Sequence, residues 1–274
     1  MKNRYKKCKV CSSSVYRVNE KYNLVKCTSC ELVFCDFQYG LEDFKACYDK
    51  LYNYENPQYK KHSITEFNQI NSGVVRLGYN RKTIINRYVK KSSKVLEIGS
   101  GIGLVGYYLT NIAKISRYTG IEIDEQSHLK AVQLGVNSQN GDFRMMSAID
   151  GAFDIVMMWE VLEHIQEIEE LFTLVNDKLN KGGLFIASVP NYNKRKNFKT
   201  PEDELFQSGP PIHLNFFTKE SLSNTLTRNG FEILRLKEKK FPYFNKSLNY
   251  IISSLKSLVG NYHGSTLYIV ARKL

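Results

Sequence analysis

Long apolar runs are missing from this sequence. No uninterrupted stretch approaches the ~20 residues that cross a bilayer, so a spanning helix is not expected. Also missing is an apolar segment behind the basic start MKNRYKKCKVC, which therefore does not read as a secretory leader. The expectation is a cytoplasmic protein whose thiols stay reduced. Internal repeats and low-complexity linkers are absent as well. Acidic residues are scarce at the front: residues 1–94 hold 8 Asp and Glu against 19 Lys and Arg, whereas residues 95–274 hold 19 against 20. Nearly all of the net +12 thus lies in the first third. Such a front end can attract phosphates, nucleic acid or an anionic surface, or can be a solvated basic face. What is present excludes a disordered chain: 274 residues, 42% apolar and 24% charged, can bury a core and carry a small appendage.

The cysteines give the first sharp signal. Cys8-x2-Cys11 and Cys27-x2-Cys30, fifteen residues apart, have the spacing of a four-thiolate zinc site. Each pair makes a tight knuckle presenting two sulfurs to one tetrahedral ion, and SVYRVNEKYNLVKC between them reads as a hairpin turning at Asn19–Lys21. Structural zinc supplies on the order of 10–16 kcal/mol in finger peptides, more than so small a core could provide. Residues 1–40 are therefore expected to be a zinc ribbon. Cys35 and Cys47 fit no ligand pattern.

Residues 41–93 are aromatic, polar and basic, with tyrosines at 48, 52, 54 and 59 suited to packing or to substrate contact. Ile84, Ile85, Tyr88 and Val89 share a helical face, which predicts a helical lead-in or lid. From residue 94 strand-like and helix-like segments alternate, as in an α/β layered domain over 94–274. Strands are expected at 94–98, 117–123, 153–159, 184–189, 231–240 and 267–272, and helices at 103–113, 125–134, 168–179 and 218–228. NKGG is expected to stop the third helix. Leu248, Ile251, Ile252, Leu255 and Leu258 form an apolar stripe, read as core or interface, and no membrane insertion is expected.

The functional signal is VLEIGSGIGLVGYYL, residues 95–109. Glycines between a strand and its helix let a ligand approach the backbone. The spacing Glu97-x-Gly99-x-Gly101-x-Gly103 departs from the GxGxxG of dinucleotide sites, and a carboxylate at the strand end suits a cationic ligand rather than a pyrophosphate. Glu122 in YTGIEID ends the next strand, where a carboxylate can accept from both hydroxyls of a ribose. A ligand with a ribose, a positive end and no phosphate is implied, and S-adenosylmethionine fits.

With VLEIGSGIG, GIEID, GDF, FDIVMMWEVLEHI and NKGGLFIASVPN, residues 94–190 resemble the class I S-adenosylmethionine-dependent methyltransferases. The resemblance implies a Rossmann-like seven-stranded sheet with helices on both faces. It places Gly99, Gly101 and Gly103 along the methionine and ribose, Glu97 beneath them, and Glu122 on the ribose. Asp142 and Phe143 would meet the adenine, and Trp159 and Glu160 would border methyl transfer. The four-cysteine ribbon and PPIHLNFFT are similar to features of sugar methyltransferases of glycan biosynthesis, though the ribbon is shorter than in the sugar C-methyltransferases. A small anionic acceptor, such as a nucleotide-linked sugar or glycan precursor, is therefore expected.

Methyl transfer from a sulfonium rests mainly on alignment, but a hydroxyl acceptor must lose a proton. His213 and His164 are the candidate bases, His213 favoured for its loop position after a strand end. Two alternatives stay open. Glu160, Glu163, His164 and His213 resemble the metal-binding set of RNA 2′-O-methyltransferases and some quinone O-methyltransferases, which would make Mg²⁺ a second cofactor and nucleic acid a possible partner. The basic NKRKNFK, with Lys194, Arg195, Lys196 and Lys199, would suit an RNA backbone or a diphosphate. The other alternative is a non-catalytic zinc-ribbon interaction module.

Overall fold

A computed structural model of the chain describes residues 3–40, 42–44, 46, 57–115, 117–195, 209–239, 248–260 and 262–274. Cys47, Tyr48, Tyr52, Tyr54, Lys196 and Lys199 lie outside the described residues, as do the side chains of Tyr59, Arg195 and Leu248. The elements begin with β1 (Val15–Asn19), β2 (Leu24–Cys27), β3 (Val33–Cys35), α1 (Pro57–Asn71), α2 (Tyr79–Tyr88) and β4 (Lys94–Ile98). Next come α3 (Leu104–Tyr107), β5 (Arg117–Glu122), α4 (Glu125–Gln133), β6 (Ser138–Asn140), β7 (Phe153–Trp159) and α5 (Ile168–Lys178). The chain ends with β8 (Leu179–Pro190), α6 (Tyr192–Arg195), β9 (Asn215–Phe216), α7 (Lys219–Arg228), β10 (Phe231–Glu238), α8 (Leu248–Leu258) and β11 (Thr266–Lys273). Short 3-10 turns cover Phe143–Ala148 and Leu162–His164.

Seven strands form one sheet in the order β10-β11-β8-β7-β4-β5-β6, and β1-β2-β3-β9 form a second, antiparallel one. The larger sheet, with helices in its connections, is the Rossmann-like α/β architecture that the alternating pattern implies. By internal packing the chain divides into two compact units.

One unit comprises Gly40–Val161, Glu170–Ile186 and Arg272–Leu274. Its strands β4 and β7 are buried at nearly every position, as expected of parallel strands covered on both faces. The parallel register aligns Glu97 with Gly120 and with Met157, and Glu122 with Asn140. The carboxyl ends of β4, β5, β6 and β7 consequently finish together, at the level where ligands bind in such sheets. Asp124 caps α4 by accepting from the Ser127 N–H at 2.8 Å. Two elements differ from expectation by more than a residue. The helix expected over 103–113 is α3 followed by a π-helical turn at Tyr108–Ile112. NKGG lies inside β8, which starts at Leu179 rather than Leu184. Gly182, at φ +74°, lies inside the strand instead of separating it from α5.

The other unit comprises Met1–Tyr39, Leu162–Glu169 and Ala187–Ala271. The β1–β2 hairpin aligns Val15 with Cys27 and Tyr16 with Lys26, and β3 joins it to β9 through Val33 and Phe216. α7 opens on a capping box between Thr218 and Ser221, and its Asn224 and Arg228 reach back to the Cys30 carbonyl and the Ser29 hydroxyl. The apolar stripe of α8 is not core: Ile251, Ile252, Leu255 and Leu258 are exposed.

Candidate active site

The turn after β4 explains the glycines individually. Gly99 has φ +70°, and a Cβ there would stand 2.4 Å from Val161 Cγ2, so both conformation and packing demand its bareness. At Gly101, φ +55°, a Cβ would meet no described residue within 4 Å. The bare backbone there faces open space, the condition for a ligand to lie against it. Gly103 is the left-handed residue from which α3 starts.

The two carboxylates are both deeply buried. Glu122 Oε2 accepts from the Gly101 N–H at 2.7 Å and Oε1 from the Asp124 N–H at 2.9 Å, which ties the end of β5 to the glycine turn. Burial raises the Glu122 pKa, and those backbone donors oppose the rise. Glu97 Oε2 accepts from the Tyr118 hydroxyl at 2.5 Å. Gly120 leaves room for this bond, since a Cβ there would stand 3.0 Å from that hydroxyl. Burial pushes Glu97 up to about 8, against the Tyr118 hydrogen bond and the charge of Arg81. Tyr118 is raised by burial and then by Glu97. A buried acid held so far above its ordinary range is unfinished electrostatically, and a cationic group beside it would complete it.

Trp159, the chain's single tryptophan, ends β7 with its ring buried and its Nε1 hydrogen without an acceptor among the described residues. Glu160 follows at φ +58°, a left-handed conformation costly for a side-chain-bearing residue and concentrated at functional sites. Arg81, from α2, lays its guanidinium 5.0 Å from the centre of the Trp159 ring. Neither Arg81 nor Tyr118 is marked by a motif in the sequence. Tyr118 sits one strand away from Glu97 and shows no motif, and Arg81 is one basic residue among many in the front third. Asp142 caps the 3-10 turn from Phe143, accepting from the Arg144 N–H at 2.9 Å and pairing with its guanidinium at 2.8 Å, while Phe143 is buried. Orphaned Trp159 Nε1, open Gly101 and the buried acids fit a nucleoside with a cationic end.

Two clusters in the other unit have metal-ligand geometry. The sulfurs of Cys8, Cys11, Cys27 and Cys30 all lie within 4.8 Å of one another, with Cys8–Cys30 at 3.5 Å and Cys11–Cys27 at 3.4 Å. Those separations are far longer than a disulfide and close to the ~3.8 Å edge of a zinc–thiolate tetrahedron. The second cluster joins Glu163, His164 and His213, again within 4.8 Å. The two imidazoles meet edge to face at 4.8 Å. His164 Nδ1 lies 2.8 Å from the Ile212 carbonyl, so this nitrogen carries the proton and Nε2 faces the cluster, 3.9 Å from Glu163 Oε1. Asn215, which sequence reading did not single out, holds the turn by donating to the Leu162 carbonyl at 3.0 Å and the Ile165 carbonyl at 2.7 Å.

A seven-stranded sheet, a left-handed glycine turn after its first strand, and an acidic residue closing the next define a class I S-adenosylmethionine-dependent methyltransferase. The chain belongs to the methyltransferase domain family, whose model matches residues 75–236. It is 27% identical over 141 residues to a probable S-adenosylmethionine-dependent methyltransferase of Mycolicibacterium smegmatis, covering 51% of this chain and 52% of that protein. It is 28% identical over 131 residues to a ubiquinone biosynthesis O-methyltransferase of Coxiella burnetii, covering 46% and 52%. The chain thus spans about half the length of the curated relatives it matches. The fold is shared with a structure of the Haloferax volcanii Trm112 methyltransferase activator complexed with a methyltransferase, at TM-score 0.58 and 15% identity, covering 78% of this chain and 95% of that one. It is shared too with an O-methyltransferase from a Brevibacillus brevis trans-AT PKS multienzyme bound to S-adenosyl-L-homocysteine, at TM-score 0.52 and 15% identity, covering 79% and 77%. Among the described residues no helix is long and apolar enough to cross a membrane.

Proposed function

We propose that the chain transfers a methyl group from S-adenosylmethionine to a hydroxyl of a small acceptor, with Glu163, His164 and His213 handling the acceptor oxygen. The observation that carries this reading is the convergence of those three donors within 4.8 Å. The ubiquinone O-methyltransferases among the relatives support an oxygen acceptor.

On the cofactor side, the backbone at Gly99, Gly101 and Gly103 lies along the methionine and ribose. Glu122 accepts from the ribose hydroxyls, Asp142 and Phe143 meet the adenine, and Trp159 and Glu160 border the sulfonium. Glu97 faces the ammonium, and Arg81 pairs with the carboxylate of the same amino acid end. On the acceptor side, His213 is the base that takes the hydroxyl proton, and His164, anchored through Nδ1, keeps the second imidazole in place. One carboxylate and two imidazoles also suit a divalent ion such as Mn²⁺ or Zn²⁺ better than the all-oxygen shell of Mg²⁺. When bound, such an ion lowers the pKa of a coordinated oxygen. The cysteine cluster takes a structural zinc ion and fastens the β1–β2 hairpin.

The acceptor class that the basic front end favours is anionic, a nucleotide-linked sugar or glycan precursor, and the ubiquinone biosynthesis O-methyltransferases among the relatives add quinone-type acceptors to the test. S-adenosylhomocysteine release is measured with nucleotide sugars, with quinols and with short RNA, before and after chelation and re-addition of Mn²⁺ or Mg²⁺. The expected result is turnover on one hydroxyl-bearing class that falls at least about a hundredfold in His213→Ala, with cofactor affinity held within a few-fold. Full turnover in that variant, or transfer to nitrogen or carbon acceptors alone, overturns the proposal. Loss on chelation with the ribbon zinc retained assigns the metal-assisted form, and indifference to chelation assigns His213 acting without metal.

A further inference from the structure

α8 is folded against its own polarity. Its more sheltered positions include Ser253, Ser254 and Ser257, with the Ser257 hydroxyl donating to the Ser253 carbonyl at 3.0 Å. Its outward positions are Ile251 (56% exposed), Ile252 (43%) and Leu255 (59%), continued by Leu258 (75%) and Val259 (70%). The spacing puts these five side chains on one face. A helix of a protein with no partner turns the opposite way, apolar side in. The surrounding sequence is one-signed: residues 235–263 carry Arg235, Lys237, Lys239, Lys240, Lys246 and Lys256 against a single acid, Glu238; the Lys239 amine is buried, and Lys256 is exposed on the helix itself. That acid is itself buried, 2.7 Å from His263 and 2.8 Å from Asn191, so its charge is taken up within the protein.

We propose that this face docks on an anionic lipid surface. The apolar stripe enters the boundary between headgroups and acyl chains, and Lys256, exposed on the same helix, meets lipid phosphates. A second copy of this chain is a poor occupant. Eleven residues make a helix about 16 Å long and 10 Å wide, far short of the ~800 Å² per partner of a stable interface. Pairing would also bring two strongly basic segments together. A bilayer has neither difficulty, since it is continuous beyond the helix and opposite in charge.

The test uses the full-length protein, sedimented with vesicles of phosphatidylcholine alone and of phosphatidylcholine with an equal part of phosphatidylglycerol. The protein should sediment with the anionic vesicles, weakly with the neutral ones, and less in high salt. Ile251→Ser with Leu255→Ser should cut the bound fraction roughly tenfold or more, with S-adenosylhomocysteine affinity unchanged. Lys256→Glu, at an exposed position that leaves the fold intact, should weaken binding to anionic vesicles alone. Three results overturn the proposal: no sedimentation with anionic vesicles at low ionic strength, equal sedimentation of wild type and both variants, or a lipid-free dimer that the serine pair converts to monomer. The last would assign the face to a second copy.

Discussion

Glu97 provides a thermodynamic test of the cofactor site that requires no acceptor. Its pKa stands at about 8 instead of 4.5, first because it is buried. At pH 7 the unliganded carboxyl is therefore about nine-tenths protonated. An ammonium seated beside it favours the ionised form, so binding should expel close to one proton at that pH. Affinity should then rise nearly tenfold per pH unit from about pH 5 to 7 and level off above about pH 8, a total of about three orders of magnitude. Stability of the unliganded protein runs the other way. A group whose folded pKa is raised contributes stability that is complete below its unfolded value and lost as pH climbs through the folded one. The Glu97 contribution accordingly declines between about pH 4.5 and pH 8, by up to about 4–5 kcal/mol. Calorimetry of S-adenosylhomocysteine binding in buffers of different ionisation enthalpy counts the expelled proton directly. Glu97→Gln should abolish the count and flatten both pH profiles. A binding enthalpy indifferent to the buffer at pH 7, or the same affinity slope in Glu97→Gln, would refute the placement of the ammonium.

Three further outcomes follow from other parts of the molecule. Gly99→Ala meets both a positive φ and Val161 Cγ2 at 2.4 Å, and should lose about 2–4 kcal/mol in denaturant melts; adding Val161→Ala should return the steric part but not the conformational part. The cysteine cluster of the purified chain should hold one zinc ion, and Cys27→Ser should lower the zinc content by one ion by elemental analysis and lose the β1–β2 hairpin, seen as rapid proteolysis before residue 40. Arg81→Ala should raise the Kd for S-adenosylhomocysteine by about tenfold, consistent with loss of one charge-assisted contact. Because Trp159 is the single tryptophan and lies under Arg81, its emission should report both the substitution and the binding. An unchanged spectrum on saturation would remove Trp159 from the site.

What could be read from the sequence was what has a period or a fixed spacing. Burial on both faces makes β4 and β7 continuous apolar words, so their ends were legible to the residue at Ile98 and Trp159. The glycine turn and the paired CxxC motifs are short-range devices whose chemistry is complete within a few positions. Tyr118 and Asn215 were not legible because each acts across the fold, one on Glu97 and the other on the carbonyls of Leu162 and Ile165. No local pattern announces a hydroxyl crossing one strand or an amide tying a turn fifty residues away. β8 misled for a related reason: two glycines usually break an element, but a strand can take Gly182 at a positive φ and continue. α8 marks the limit most clearly. Its periodicity was plain, yet a period says only that two faces differ. Which face turns inward is decided by what the rest of the chain offers to pack against, and here the serines, not the isoleucines, took the sheltered side. That reversal leaves an apolar face turned outward, and it is the observation on which the proposed docking rests.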